Sequence, residues 1–323
     1  MGVVVSAPGS DIGPSAIAGL LAEARSDRRA ALARLLSFVE RGGPDARSVG
    51  AAVHPLGGTA SVVGITGAPG AGKSTLTSEL CRSARSDGDR IAVLAVDPSS
   101  PFSGGAILGD RVRMGDHALD DGVFIRSMAT RGHLGGLSLA TPSAIRVLDA
   151  VGFPWVVVET VGVGQVEVEI VASADTCVVV VNPGWGDAVQ ANKAGLMEIA
   201  DIFVINKADR PGAAEAEQDL RSMLSMRIDD GWNPPVVAVV ALDGSGIGEL
   251  WAAIGRHRSW LGSSGEGDRR RIRRVGQELR GIVAATLAAR AGEIASGPAF
   301  DEVFEAVMAR RVDPWTAAEA LLG

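Results

Sequence analysis

The chain has 323 residues, enough for one large α/β domain with appendages and a core that needs no covalent staples. A formal charge of −7 argues against a general nucleic-acid partner, which needs a net basic face. No run of about 18 consecutive apolar residues is present, so no membrane span is expected.

The first fourteen residues are rich in Gly, Pro and Ser and are expected to be disordered. Met1-Gly2 with Ser6 fits the myristoylation pattern, but no polybasic stretch follows and the features of a signal peptide are missing. A cytoplasmic protein is therefore expected. Cys81 and Cys177 fall in a helical and a strand-like pattern, which suits buried thiols in a reducing compartment. His54, His117, His133 and His257 are scattered without metal-ligand spacing and read as structural.

Residues 15–56 form a helical segment in this reading. Leu20, Leu21 and Ala24, then Leu32, Leu35, Leu36 and Val39, recur at helical spacing, with a break near Ser26-Asp27. Two amphipathic helices are predicted, ended by Arg41-Gly42-Gly43-Pro44.

Ser61 to Thr66 is a short apolar strand running into Gly67-Ala68-Pro69-Gly70-Ala71-Gly72-Lys73-Ser74-Thr75, and a helix follows to Arg85. The loop matches G-x-x-x-x-G-K-[ST], whose glycines let successive backbone N–H groups point inward at a phosphate chain. Lys73 would reach the β- and γ-phosphates, and the Ser74 hydroxyl would complete a Mg²⁺ site bridging the same oxygens.

A second strand, Ile91 to Val96, ends in Asp97, which opens a Gly/Pro/Ser-rich loop leading to Asp110-Arg111. That loop is too Pro-rich for a core and sits where a switch would sense the γ-phosphate. Asp97 would orient the attacking water and Asp110 would reach the outer shell of the metal.

Val156-Val157-Val158-Glu159-Thr160-Val161-Gly162 is an apolar strand ending in an acid. Glu159 would form the second metal arm, and the Gly162 N–H would face the γ-phosphate. Val163 follows where many GTPases place a water-positioning Gln, which predicts slow intrinsic hydrolysis that a partner or dimer contact completes.

Two further strands, Thr176 to Val181 and Ile202 to Asn206, precede Asn206-Lys207-Ala208-Asp209. The Asp209 carboxylate would accept from both N1–H and the exocyclic amine of guanine, which adenine cannot offer, while Asn206 and Lys207 brace the loop. The ligand is thus read as GTP or GDP.

The last strand is Val236 to Val240; a flexible joint is expected at Gly262 to Gly267, then helices near 269–291, 299–311 and 314–322. The run Arg269-Arg270-Arg271-Ile272-Arg273-Arg274 reads as a solvated or dimer-facing surface. The fold class is α/β: a doubly wound, mostly parallel P-loop GTPase sheet over 57–261, with N-terminal helices and a C-terminal helical arm over 262–323.

Asp97-Pro98-Ser99-Ser100-Pro101, Gly104 to Met114, Arg131-Gly132-His133-Leu134-Gly135-Gly136, Glu159 to Gln165 and Ala191-Asn192-Lys193-Ala194-Gly195 together resemble the MeaB/ArgK group of P-loop GTPases, the methylmalonyl-CoA mutase-associated proteins. The resemblance implies a GTPase chaperone that gates adenosylcobalamin delivery to a B12-dependent acyl-CoA mutase and protects or reactivates it. It implies indirect dealings with the adenosylcobalamin-loading enzyme and a homodimer formed through the C-terminal arm. Carried over by position, Lys73 and Ser74 are the P-loop pair, and Asp97, Asp110 and Glu159 are the Mg²⁺ and catalytic acids. Asn206, Lys207 and Asp209 read guanine, and Gln190 and Lys193 signal to the partner.

Val240-Ala241-Leu242 stands for the family's Ser-Ala-Leu, with the Ala241 N–H expected on the guanine carbonyl. Ser103, Ala106, Asn182 and Trp185 also depart from the family pattern and bear on which mutase is served. Two other readings are a kinase, which would need an acceptor pocket, and a metallochaperone GTPase, which would carry His-rich or Cys-His cargo ligands.

Overall fold

In the computed structural model, the described residues are 12–97, 117, 119–129, 136–160, 174–184, 198–226 and 231–322, with side chains left aside at 97, 129 and 136–139. They contain seven strands: β1 Ser61–Gly67, β2 Ile91–Asp97, β3 Val123–Ala129, β4 Trp155–Thr160, β5 Thr176–Val181, β6 Ile202–Asn206 and β7 Val236–Val239. The helices among them are α1 Pro14–Arg25, α2 Arg29–Arg41, α3 Gly43–Val53, α4 Lys73–Ser86, α5 Gly136–Val151, α6 Ala213–Leu224, α7 Ile247–Ser264, α8 Glu266–Ile294, α9 Pro298–Met308 and α10 Pro314–Leu322.

The strands form one sheet in the order β3-β2-β4-β1-β5-β6-β7, and every pairing is parallel. Parallel strands covered on both faces read as continuous apolar runs, and these do: all six residues of β4 and of β5 are buried. Alternate residues serve opposite layers. Val156 and Val158 meet α1, α2, α3 and α5 on one face, while Val157, Val178 and Val180 meet α4 and α7 on the other. Val179, Val181, Phe203 and Ile205 join α6 beyond them. The strand order reverses beside β1, so the carboxyl ends of β1, β4, β5 and β6 converge where open α/β sheets bind ligands.

The N-terminal helices exist, with a difference. Ile17, Leu21 and Ala24 bury one face of α1, and Leu32, Leu35, Leu36 and Val39 one face of α2. The chain turns between them at Asp27, φ 62°. Gly42 ends α2 as expected, but a third helix follows at once: Pro44 sits in the first turn of α3, where its fixed φ favours a helix start, and Val49 and Val53 bury that helix.

The flexible joint expected at Gly262–Gly267 is absent. The helix α7 runs through Ser264, Gly265 takes a left-handed turn at φ 71°, and α8 begins at Glu266. One glycine suffices because Ser264 Oγ accepts the Glu266 N–H at 3.2 Å and Arg269 bonds Glu266 at 2.7 Å.

The basic run is also not a uniformly solvated face. Arg270 places both terminal nitrogens on the Asp201 carboxylate, at 2.8 and 2.9 Å, and donates to the Asp175 carbonyl at 3.0 Å.

The chain divides into two compact units, 1–271 and 272–323. In the second, α9 packs on α10, and Asp313 caps α10 by accepting from Trp315 N, Thr316 N and Thr316 Oγ1. Its helices carry exposed apolar side chains at Ile272, Val275, Leu279, Val283 and Leu287 on α8, with Phe304, Met308 and Trp315 further on.

Candidate nucleotide site

The loop after β1 has the shape its glycines dictate. Gly67 has φ 147°, and a Cβ there would lie 2.1 Å from the Val180 carbonyl oxygen, so no side chain fits between β1 and β5. Gly72 has φ 89°, and a Cβ would lie 2.3 Å from Asn206 Nδ2. The last glycine of the phosphate motif is thus also required by the first residue of the base-reading motif.

Lys73 opens α4 and is buried; its Nζ donates to the carbonyls of Gly67 at 2.6 Å and Ala68 at 3.1 Å, which holds the ammonium over the loop. Beside it Ser74 Oγ donates to Glu159 Oε1 at 2.6 Å. Glu159 emerges near the end of β4 opposite Ile65 of β1, and Thr160 Oγ1 fastens that end to Thr66 Oγ1 at 3.2 Å. The sequence predicts Ser74 and Glu159 on one metal, and the structure brings the two together. Both are hard oxygen donors, the class that suits Mg²⁺. Among the described residues no group of three or more His, Cys, Asp and Glu is arranged for a metal.

Asn206 organises the other half. Its Nδ2 donates to the Ala71 carbonyl at 2.7 Å, and its Oδ1 accepts from Lys207 N at 2.8 Å and Ala241 N at 3.1 Å. Lys207, at φ 60°, sends Nζ back to the Gly70 carbonyl at 2.7 Å. These two residues brace the loop as expected, and they do so by gripping the phosphate loop itself. Asp209 stands exposed in the turn that follows, closed by Arg210 N on the Lys207 carbonyl at 3.0 Å.

The Ala241 N–H, expected on the guanine carbonyl, donates to Asn206 Oδ1 at 3.1 Å. Leu242 is exposed on the same turn. Asp97 ends β2, with its side chain outside the described residues; Asp110, Gly162, Val163, Gln165, Gln190 and Lys193 lie outside them altogether.

The cysteines are buried and free, as expected. Burial pushes the Cys81 thiol up to about 12, reinforced by the nearby negative charges of Glu159 and Asp120, and burial raises Cys177 as well. Neither is a nucleophile at neutral pH. Of the histidines, His117 and His257 are buried and hydrogen-bonded.

What sequence reasoning missed lies at the amino ends of the strands. There Asp201, just ahead of β6, accepts from Arg270 twice and from Cys177 N at 2.8 Å, and His257 Nε2 lies 3.3 Å away. His257 Nδ1 meets Thr176 Oγ1 at 2.8 Å. Burial alone would raise the Asp201 carboxyl; the hydrogen bonds and charges of His257 and Arg270 outweigh it and hold the group below the usual carboxylate range. The partners lie 69 residues apart, so no local pattern announced the pair.

A glycine loop between strand and helix, a buried lysine on its carbonyls and an N-K-x-D turn gripping that loop at the carboxyl edge of a parallel sheet define a P-loop guanine-nucleotide-binding protein. A family model described as methylmalonyl-CoA mutase-associated GTPase MeaB matches residues 32–295, and the chain belongs to this family of GTPases. A protein of Pyrococcus abyssi is 51% identical over 302 residues, covering 92% of this chain and 93% of its own length. The GTPase ArgK of Escherichia coli is 39% identical over 263 residues, covering 79% and 80%. A crystal structure described as LAO/AO transport system kinase superposes with a TM-score of 0.72 at 29% identity, covering 96% of this chain and 97% of that one. The mouse methylmalonic aciduria type A homolog, a mitochondrial protein, is 38% identical over 209 residues, 63% of this chain and 50% of its own.

Proposed function

We propose that this GTPase is a cytoplasmic chaperone that gates adenosylcobalamin delivery to a B12-dependent acyl-CoA mutase, and protects or reactivates that mutase, with GTP hydrolysis as the timer. The observation that carries the reading is the family match over 32–295, whose description names association with methylmalonyl-CoA mutase. The relation to a methylmalonic aciduria protein supports it.

In this reading the backbone N–H groups of residues 67–75 and the Lys73 ammonium bind the β- and γ-phosphates, and Asp209 accepts from guanine. Ser74 and Glu159, with Asp97 and Asp110, would hold Mg²⁺, which when bound neutralises charge developing on the phosphate oxygens. The Gly162 N–H would face the γ-phosphate. With Val163 in place of a water-positioning Gln, hydrolysis is slow until the partner engages, and Gln190 and Lys193 carry that signal. The protein works as a homodimer through the helices after residue 262, which the exposed apolar series on α8 supports. No helix among the described residues is long and apolar enough to cross a membrane.

The test is titration of the purified protein with a methylmalonyl-, ethylmalonyl- or isobutyryl-CoA mutase in the presence of GDP and of a non-hydrolysable GTP analogue. Nucleotide-dependent complex formation and faster GTP hydrolysis are expected with at least one of them. No complex and no stimulation with any of the three rejects the reading. The kinase name of the superposed structure favours one alternative: γ-labelled GTP would then yield a labelled product other than inorganic phosphate.

A further inference from the structure

One arginine of the basic run 269–274 is bound unlike a surface arginine. Arg270 lies within the first compact unit, on the first turns of α8. It forks onto both oxygens of Asp201 at 2.8 and 2.9 Å and also donates to the Asp175 carbonyl at 3.0 Å. Glu266, one turn earlier on the same helix, lies 3.5 Å from its Nε.

Asp201 gathers β5, β6, the approach to β7, α7 and α8 on one residue that is only 2% exposed. Its N–H donates to the Cys177 carbonyl at 2.9 Å and its Oδ2 accepts from Cys177 N at 2.8 Å, which pins the start of β6 to β5. Its carbonyl accepts Trp232 Nε1 at 2.8 Å from the chain leading into β7, and its Oδ1 lies 3.3 Å from His257 Nε2 of α7. Arg270 supplies the contact from α8. Exchanging a buried ion pair for packed apolar residues is often neutral or stabilising, so net stability does not account for the pair. The best-attested use of such a pair is to fix register.

Register matters at the far end of this strand. β6 pairs with β5 from Ile202 opposite Val178 onward, and its five buried residues end in Asn206, about 17 Å away at about 3.3 Å per residue. There Asn206 has to meet both Ala71 and Ala241, and Asp209 follows in a turn closed by Ala208 N on the Val239 carbonyl at 3.1 Å. We infer that Arg270 is a positioning residue for guanine recognition. By holding Asp201 it sets the height of β6 in the sheet, and thereby where the 206–209 turn presents Asp209 to the base. The inference rests on the reading of Asp209 as the acceptor for guanine.

The experiment compares the full-length protein with Arg270→Met and Asp209→Ala, measuring dissociation constants for GDP and for inosine diphosphate beside urea unfolding. The two ligands differ only in the exocyclic amine of the base. Loss of folded protein or of phosphate contacts therefore weakens both alike and cancels in their ratio, whereas a displaced Asp209 changes it. Arg270→Met is expected to cut the preference for GDP over inosine diphosphate about threefold to tenfold. Asp209→Ala is expected to remove most of that preference.

A parent-like preference in Arg270→Met overturns the inference, however far its unfolding midpoint falls. Should Arg270→Met not fold, Arg270→Gln, which keeps one amide donor without the charge or the fork, takes its place with the same two outcomes. Asp209→Ala separates the underlying reading. A parent-like preference there refutes the base reading and the inference with it; a loss there with none in the Arg270 variant refutes the inference alone.

Discussion

Asn206 and Lys207 are the residues through which the two halves of the pocket hold each other, and replacing the buried Asn206 has a calculable cost. Asn206→Ala removes three hydrogen bonds and leaves the Ala71 carbonyl, Lys207 N and Ala241 N without that partner. At about 1 kcal/mol net for each bond the loss is about 3 kcal/mol. Asn206→Asp is more selective. Its oxygens still accept from Lys207 N and Ala241 N, but an oxygen now faces the Ala71 carbonyl at a separation that was a 2.7 Å donor contact. Only the bond to the phosphate loop is lost, at about 1–3 kcal/mol for the buried acceptor left unmet.

Because that bond reaches the phosphate loop, the Asp variant should lose more affinity for GDP than for guanosine. One to three kcal/mol corresponds to roughly five- to 150-fold in the dissociation constant. Titration of both variants with GDP and guanosine, alongside urea unfolding, measures it. Equal losses for guanosine and GDP in Asn206→Asp would refute the bridge and leave Asn206 a base-side residue only.

Two further substitutions probe the metal arm and the far edge of the sheet. Glu159→Gln keeps an acceptor for the Ser74 hydroxyl 2.6 Å away but removes the charge, so GDP binding should persist while its enhancement by Mg²⁺ falls about tenfold; an unchanged enhancement excludes Glu159 from the metal. Arg270→Met strands the Asp201 carboxylate, which is buried to 2% exposure, and should cost about 3–5 kcal/mol in urea unfolding at neutral pH. The sign with pH follows from the lowered Asp201 carboxyl. Its contribution is present above the unfolded-state value near 4 and is lost as pH falls through the lower folded value. Without Arg270 the folded value rises, and the acid loss should begin at higher pH. A loss below about 1 kcal/mol, or an unmoved acid limb, would show the pair to be dispensable.

The nucleotide loop and six of the seven strands are legible in the sequence because strands buried on both faces leave uninterrupted apolar runs, and because a phosphate loop needs glycine where its backbone turns. The strand β3 was not legible. It lies at the sheet edge with one neighbour, and Arg126 interrupts its apolar run. That charge is tolerated because Glu40 and Ser37 of α2 accept its hydrogen bonds at 2.5–3.1 Å, partners 86 and 89 residues away. The third N-terminal helix was hidden for a different reason: Gly42-Gly43-Pro44 carries both stop and start signals, and only the burial of Val49 and Val53 decides between them. Ser74, Glu159, Asn206 and Lys207 were singled out from local context alone, and the structure pairs the first two and brings the last two onto the phosphate loop. The second bond made by each of the last two, to the phosphate loop, joins positions more than 130 residues apart and has no local signature.

The two edges of the sheet divide the work by the direction of their backbone groups. At the carboxyl edge the strands present carbonyls, and the cationic and amide donors of Lys73, Lys207 and Asn206 satisfy those of Gly67, Ala68, Gly70 and Ala71. At the amino edge the strands present N–H groups, and carboxylates meet them: Asp201 on Cys177 N and Asp175 on Val62 N at 2.9 Å, with Asp149 holding Ala60 N at 3.0 Å just ahead of β1. The strand β6 joins the two systems, with Asp201 immediately before it and Asn206 at its end. Five buried residues at about 3.3 Å each make a rigid spacer of about 17 Å. The base reader is therefore set from both ends, by the phosphate loop it grips and by the buried ion pair under its strand.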